Sequence, residues 1–296
     1  MPRSRATLIG FAAVILWSML AVLTVGTAPV PPLLLNAICF GIGGGGGIVW
    51  LVLSGEIGSL RQVPFKVYVI GTAGLFGYHF FYFSALRMAP AAEAGLIAYL
   101  WPLLIVLMSA LLPGERLKRG HILGGVLGFA GAATILLGGR SGSVDGAMAG
   151  YALALVCAFT WSGYSIISRS FGAVPTGSVA VFCLATAVLS VAAHLRFETP
   201  LWPDTRLGWL SVIGLGFGPV GLAFYVWDIG VKKGDIQLLG VASYAAPLLS
   251  TLVLVIAGFA APTWTLALAA SLITAGAALA ARTSLKRASK AAKFLL

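Results

Sequence analysis

Tyr78, His79 and Tyr82 fall within one arc of a helix at about 100° per residue, in a stretch that is otherwise apolar. Phenol and imidazole groups both give and take hydrogen bonds, and their rings stack offset on other flat groups. Phe76, Phe80 and Phe83 are expected on the opposite side of the same helix. One face is thus aromatic with polar tips, the other purely apolar. Polar side chains inside a bilayer need partners or water, so the Tyr/His face should turn toward a cavity. A belt of interfacial tyrosines accounts for Tyr82 near a span end, but not for His79.

The same design recurs further along. Trp161, Tyr164, Ser165 and Ser168 stand at i, i+3, i+4 and i+7, and Gly240, Ser243, Tyr244, Pro247 and Thr251 form a third stripe. Tyr99 and Trp101 would point apart on a straight helix. Pro102 removes a backbone donor and can kink the helix there, which lets both line a broken segment. Pro247 stands three residues after a tyrosine, as Pro102 does. The pair Trp17-Ser18 reappears as Trp161-Ser162. The candidate ligand-contacting residues are Trp17, Tyr78, His79, Tyr82, Tyr99, Trp101, Trp161, Tyr164, Ser243 and Tyr244. The candidate hinge and kink positions are Gly45, Pro102 and Pro247.

This chemistry is recognition rather than catalysis. The chain has no GxxxxGK[ST] loop, so nothing points to ATP-driven work, and it has no HExxH, CxxC pair or GxSxG. Cys39, Cys157 and Cys183 are odd in number, far apart and inside apolar spans, which suits packing rather than a disulfide or metal site. No cofactor and no metal are expected. His121 and His194 lie alone at span ends. Glu93 and Asp228 sit near span ends with Arg87 and Lys232 close in sequence, and read as interfacial ion pairs.

The elements that must position these groups are membrane helices. Hydrophobic residues make up 59% of the 296, charged residues 9%, and mean hydropathy is +1.01. A span needs about 20 apolar residues. Ten candidate spans follow, at 6–26, 30–54, 65–86, 92–112, 120–139, 147–169, 176–196, 206–229, 236–259 and 263–282. The stretch Phe81–Leu104 returns as Phe224–Leu249, and the matches lie about 143 to 145 positions apart. The chain therefore divides into two five-span copies, 1–140 and 141–296, at a Gly/Ser linker near Gly138–Ser143. A unit with an odd number of spans must enter the bilayer in opposite senses in its two copies, an architecture of secondary transporters.

Charge placement orients the chain. With the N-terminus inside, fifteen Lys and Arg fall on the cytoplasmic side and four, Arg87, Arg140, Arg196 and Arg206, on the other. This is a positive-inside bias that puts both termini in the cytoplasm. The net charge of +11 is then mostly topology, with the basic tail free to meet anionic lipid heads. Charges scattered over loops do not suit nucleic-acid binding. Span one follows Arg3 and Arg5 but carries the Trp-Ser pair that span six repeats, so it is read as part of the fold rather than a cleaved leader. Gly43–Gly47 in span two reads as close packing or as a hinge at Gly45. Gly124, Gly125, Gly128, Gly131 and Ala132 in span five, with Ala267, Ser271, Ala275 and Ala278 in span ten, let backbones approach closely. These two spans are expected to be struts and a face for a homodimer.

The repeats, the Trp17/Trp161 pair and the Ala-Leu-Arg…Pro-Ala-Ala…Tyr-Leu-Trp-Pro block resemble the drug/metabolite transporter superfamily, EamA type. The Tyr78–Tyr82 and Tyr99–Pro102 runs look closest to its bacterial aromatic amino acid exporters. The resemblance implies a ten-helix inner-membrane bundle, with spans one to four and six to nine around a central cavity and spans five and ten outside it. It implies export of small metabolites, chiefly aromatic and other neutral amino acids. The same rings would also suit a flat organic cation, and a non-transporting membrane scaffold is the third reading. The second copy departs from the first by two residues around Lys232-Lys233-Gly234, so the halves need not contribute equally.

Overall fold

The computed structural model describes residues 1–137, 147–256, 258 and 262–293. The linker expected at 138–143, and with it the 140/141 boundary, lies outside the described residues. Every long described element is helical: α1 (Arg3–Ser18), α2 (Leu20–Gly26), α3 (Pro32–Leu53), α4 (Phe65–Met88), α5 (Ala91–Ala98), α6 (Trp101–Met108), α7 (Arg119–Leu136), α8 (Met148–Ser170), α9 (Ser178–Phe197), α10 (Arg206–Phe217), α11 (Ala223–Lys233), α12 (Ile236–Ala242), α13 (Ala245–Ile256) and α14 (Trp264–Lys293). In lipid only internally bonded backbone is affordable, which is why apolar sequence of this kind becomes helix. Among the described residues, nine helices are long and apolar enough to cross a bilayer. They include α1 with α2, α5 with α6, α10 with α11, and α12 with α13 as composite spans. The 18-residue α7 is an additional long helix.

Cross-repeat contacts give the helix directions. In α3 and α9, Asn36 Nδ2 donates to Ser190 Oγ at 2.8 Å, Gly44 faces Leu184, and Leu51 faces Gly177. Numbers rise in one helix as they fall in the other, so the pair is antiparallel. The same holds for α7 on α14, where Gly124 meets Gly276 and Gly131 meets Ile273. It holds again for α6 on α12, where Pro102 meets Gly240 and Gln237 Nε2 donates to Ser109 Oγ at 3.1 Å. Each of these pairs joins equivalent spans of the two copies. The remaining large contacts, α1 on α11 and α4 on α8, exchange when the copies are swapped. Only a two-fold axis lying in the membrane plane does all of this, so the repeats are inverted.

Glycine sets the closest crossings. A Cβ on Gly10 would stand 2.7 Å from Gly230 Cα, and one on Gly43 would stand 2.7 Å from Gly221 Cα. The run Gly43–Gly47 is helical throughout, inside an unbroken α3. Gly43, Gly44 and Gly47 are its packing positions, whereas a Cβ on Gly45 would meet nothing within 4 Å. The glycines of α7 point into the chain, but Ala267, Ser271, Ala275 and Ala278 of α14 are exposed. The two small-residue faces therefore differ in what covers them.

Spans four and nine break at matched places. Span four stops at Ala98 and restarts at Trp101, and span nine stops at Ala242 and restarts at Ala245. Each break lies just ahead of its proline, Pro102 or Pro247, whose ring denies the helix one donor. Two further irregularities were not anticipated: a break at Met19 between α1 and α2, and a π-helical turn at Gly218–Leu222 between α10 and α11, where Pro219 denies the helix one donor. They meet each other, since Trp17 Nε1 donates to the Pro219 carbonyl at 3.1 Å.

Candidate functional site: an aromatic cavity

A cavity of about 980 Å³ opens between the copies. Small-molecule sites run from about 300 to 1,000 Å³, so it is large for its class. Its wall includes Trp17, Tyr78, His79, Tyr82, Tyr99, Trp101 and Trp161, together with Pro247. Seven of the ten residues singled out in the sequence thus meet around one space. The other three are elsewhere. Tyr164 is buried against Gly74 under the cavity floor. Ser243 is fully buried and donates to the Leu239 carbonyl at 2.7 Å. Tyr244 is fully buried, its hydroxyl accepting from Leu103 N at 3.1 Å and its ring lying on Gly128. Pro102 and Gly45 do not line the cavity.

The floor is a knot of indoles from four spans. Trp17 lies 6.0 Å from Trp101, 5.9 Å from Trp161 and 5.1 Å from Trp227, centroid to centroid. The first two contacts are edge-on, the geometry that the ring quadrupole favours. Trp227 is entirely buried beneath the others and holds Ser165 Oγ at 3.2 Å. The side wall stacks Tyr78 on Tyr82 at 6.1 Å, with planes 3° apart. His79 sits edge-on to Phe40 at 5.0 Å.

His79 Nδ1 lies 2.8 Å from the Leu75 carbonyl oxygen. A carbonyl only accepts, so Nδ1 carries the proton, and Nε2 of the neutral ring is left as an acceptor. That acceptor, the tyrosine hydroxyls, the indole N–H groups, Asn36, Thr24, Thr27 and Ser250 are among the polar groups of the wall. No Asp, Glu, Lys or Arg lines it among the described residues.

Several wall residues were not anticipated. Phe83, placed opposite the Tyr/His arc in the sequence reading, lines the cavity and lies 6.2 Å from His79. It stands four residues after His79, nearly one full turn further on, so the boundary between the two faces was drawn one residue too early. Asn36 is the only asparagine in the chain and sits in the second turn of α3 among apolar residues, a signal available from sequence. Phe224, the repeat mate of Phe81, and Cys39 complete this side.

The cavity runs from the indole floor to residues 27–30, in the connection between α2 and α3, on the face away from the N-terminus. The N-terminal face is shut. Glu115 takes Arg3 at 3.1 Å and Arg169 at 2.6 Å, and Asp235 lies 3.5 Å from Arg3. Arg169 also donates to the carbonyls of Val231 and Gly234, both at 2.7 Å. Behind this cluster, Asp228 takes Lys232 at 2.8 Å and Thr176 at 2.8 Å. The Asp228–Lys232 pair is buried, not interfacial as expected, because Ser168, Thr176 and the Val174 carbonyl replace water around it. Arg87 and Glu93 also differ from expectation. Arg87 pairs with Glu198 at 2.5 Å, and Glu93 bonds Tyr151. Glu198 in turn accepts from Leu33 N and Leu34 N, where the α3 dipole favours an anion.

Known proteins agree with this architecture. The chain is 58% identical over 283 residues to the aromatic amino acid exporter YddG of Ancylobacter novellus, covering 95% of this chain and 98% of that one. It is 27% identical over 272 residues to the protein of the same name from Escherichia coli, covering 85% and 88%. A solved crystal structure at 57% identity superposes with a TM-score of 0.89, over 94% of this chain and 98% of that one. The family model described as EamA-like transporter family matches twice, at 4–137 and 148–282. With two matched repeats that cover most of its length, the chain belongs to the EamA-like transporter family.

Proposed function

We propose that this protein exports aromatic and other neutral amino acids across a bacterial inner membrane by alternating access. One observation carries the reading: a cavity of about 980 Å³ walled by indole, phenol and imidazole rings, with no charged side chain among the described residues. A zwitterion with a flat side chain suits such a wall. Rings take the side chain at offset or edge geometry. His79 Nε2 and the tyrosine hydroxyls accept from the ammonium, and hydroxyl and amide donors meet the carboxylate. Without a buried counter-charge, binding is weak and release easy, as an exporter requires. The name carried by the relatives in Ancylobacter novellus and Escherichia coli points the same way.

The finer topology belongs to this proposal. Counting α7 with the nine apolar spans gives ten, and an even number returns both termini to one side. The surplus of Lys and Arg on that side makes it the cytoplasm. The chain as described is then open outward, with the Arg3–Glu115–Arg169–Asp235 cluster closing the inner face. A homodimer would form on the uncovered stripe Ala267, Ser271, Ala275 and Ala278, and cross-linking through Ser271→Cys would detect it.

Proteoliposomes loaded with labelled phenylalanine, threonine or a viologen-type dication test the function. Flux of phenylalanine above the dication is expected. Flux of the dication alone would favour the drug-exporter reading, and flux of neither a scaffold.

A further inference from the structure

Tyr99 and Tyr244 occupy the same position of the two repeats, each three residues before its proline, yet they are in opposite conditions. Tyr99 faces the cavity, and its hydroxyl makes no hydrogen bond among the described residues. Tyr244 is fully buried in the wall between α7 and α6, its hydroxyl accepting from Leu103 N at 3.1 Å. The helix breaks differ to match. After Tyr99 the helix restarts at the second residue, Trp101, and after Tyr244 at the first, Ala245. The later restart leaves the Leu103 N–H for the tyrosine of the other repeat. A buried backbone N–H without a partner is costly, so this bond holds the present arrangement of α6.

We propose that Tyr99 and Tyr244 exchange roles as access alternates. In the state open toward the N-terminal face, Tyr244 lines the cavity, Tyr99 is buried, and its hydroxyl accepts from Leu248 N, the repeat mate of Leu103 N. The argument is one of symmetry. Inverted repeats can pass between their two states by trading conformations. A difference between equivalent residues in one state then appears with the repeats reversed in the other. The ligand meets one phenol on each side of the membrane, and that phenol belongs to a different repeat on each side. The inference rests on the alternating-access reading above, but not on which substrate is carried.

The test uses the full chain with Cys39→Ala, Cys157→Ala and Cys183→Ala, in sealed vesicles of either orientation, with a membrane-impermeant maleimide. Tyr99→Cys is expected to react from the face of residues 27–30, and Tyr244→Cys to be protected there. Adding Glu115→Gln, which breaks the ion cluster of the closed face, should slow Tyr99→Cys. The same change should expose Tyr244→Cys to reagent from the N-terminal face. Tyr244→Phe keeps the ring and loses only the cap on Leu103. It should slow Tyr99→Cys by up to about fivefold, the change in the equilibrium constant that one ordinary hydrogen bond gives. The proposal is overturned if Tyr99→Cys reacts at an unchanged rate in both backgrounds, or if Tyr244→Cys reacts from the same face as Tyr99→Cys. Flux of labelled phenylalanine in the cysteine-free chain separates the two readings. Exchange of labelling without flux sinks the substrate, and flux without exchange sinks the tyrosine swap.

Discussion

The Trp17 indole N–H donates to the Pro219 carbonyl at 3.1 Å, joining the break in the first span to the π turn in the eighth. Pro219 and its neighbours disturb the regular backbone ladder there, and an indole is one of few side chains that can reach across to a carbonyl while also walling a cavity. Trp17→Phe keeps the apolar ring and removes the donor. We expect stability to fall by about 1 kcal/mol and flux to fall with it, read by thermal unfolding in detergent and by proteoliposome transport. Unchanged melting and transport would show that the bond holds nothing.

Glu115 is shared by two arginines from different elements and is nearly buried. Removing the Glu115 charge takes the carboxylate from Arg169 while Arg3 keeps Asp235 at 3.5 Å, and breaking such a pair costs about 3–5 kcal/mol when buried and less near water. Glu115→Gln should therefore destabilise the closed N-terminal face. Proteolysis or thiol labelling from that side would rise, while total folded protein would drop only modestly. An accessibility pattern like the parent's would remove the cluster from the gate.

His79 offers the cavity a ring nitrogen whose tautomer is set by the Leu75 carbonyl. In His79→Phe the edge-on contact with Phe40 can persist while the acceptor is lost. Loss of one such bond to a charged ammonium is worth about 1.5–3 kcal/mol, so amino acid flux should fall at least about tenfold with no loss of folded protein. Normal transport by His79→Phe and His79→Ala would exclude hydrogen-bonding roles for this residue.

The glycine run in α3 separates packing from flexibility. Gly43→Ala brings a methyl against Gly221 and should cost about 1–3 kcal/mol. Gly45→Ala enters open space and should be neutral or stabilising by up to about 1 kcal/mol. Equal melting temperatures for the two variants would contradict the crossing seen here. Loss of transport in Gly45→Ala, with stability intact, would instead restore a hinge at that position.

Much of this was legible along the chain, for a specific reason. A bilayer imposes helix on any apolar stretch of span length, and a helix puts residues three and four apart on one face. The spacing of Tyr78, His79 and Tyr82 therefore announced one wall of the cavity, and the Tyr99/Tyr244 and Pro102/Pro247 matches announced paired helix breaks. What the spacing leaves open is how far each helix is rotated about its own axis. Packing sets that: Gly128 admits the Tyr244 ring to the interior while Tyr99, its equivalent, stays in the cavity, and Phe83 turns inward beside His79. Ion-pair partners are likewise a tertiary choice. Arg87 finds Glu198 rather than nearby Glu93, and Asp228 is buried with Lys232, because chain folding brings together hydroxyls and carbonyls that no local spacing records.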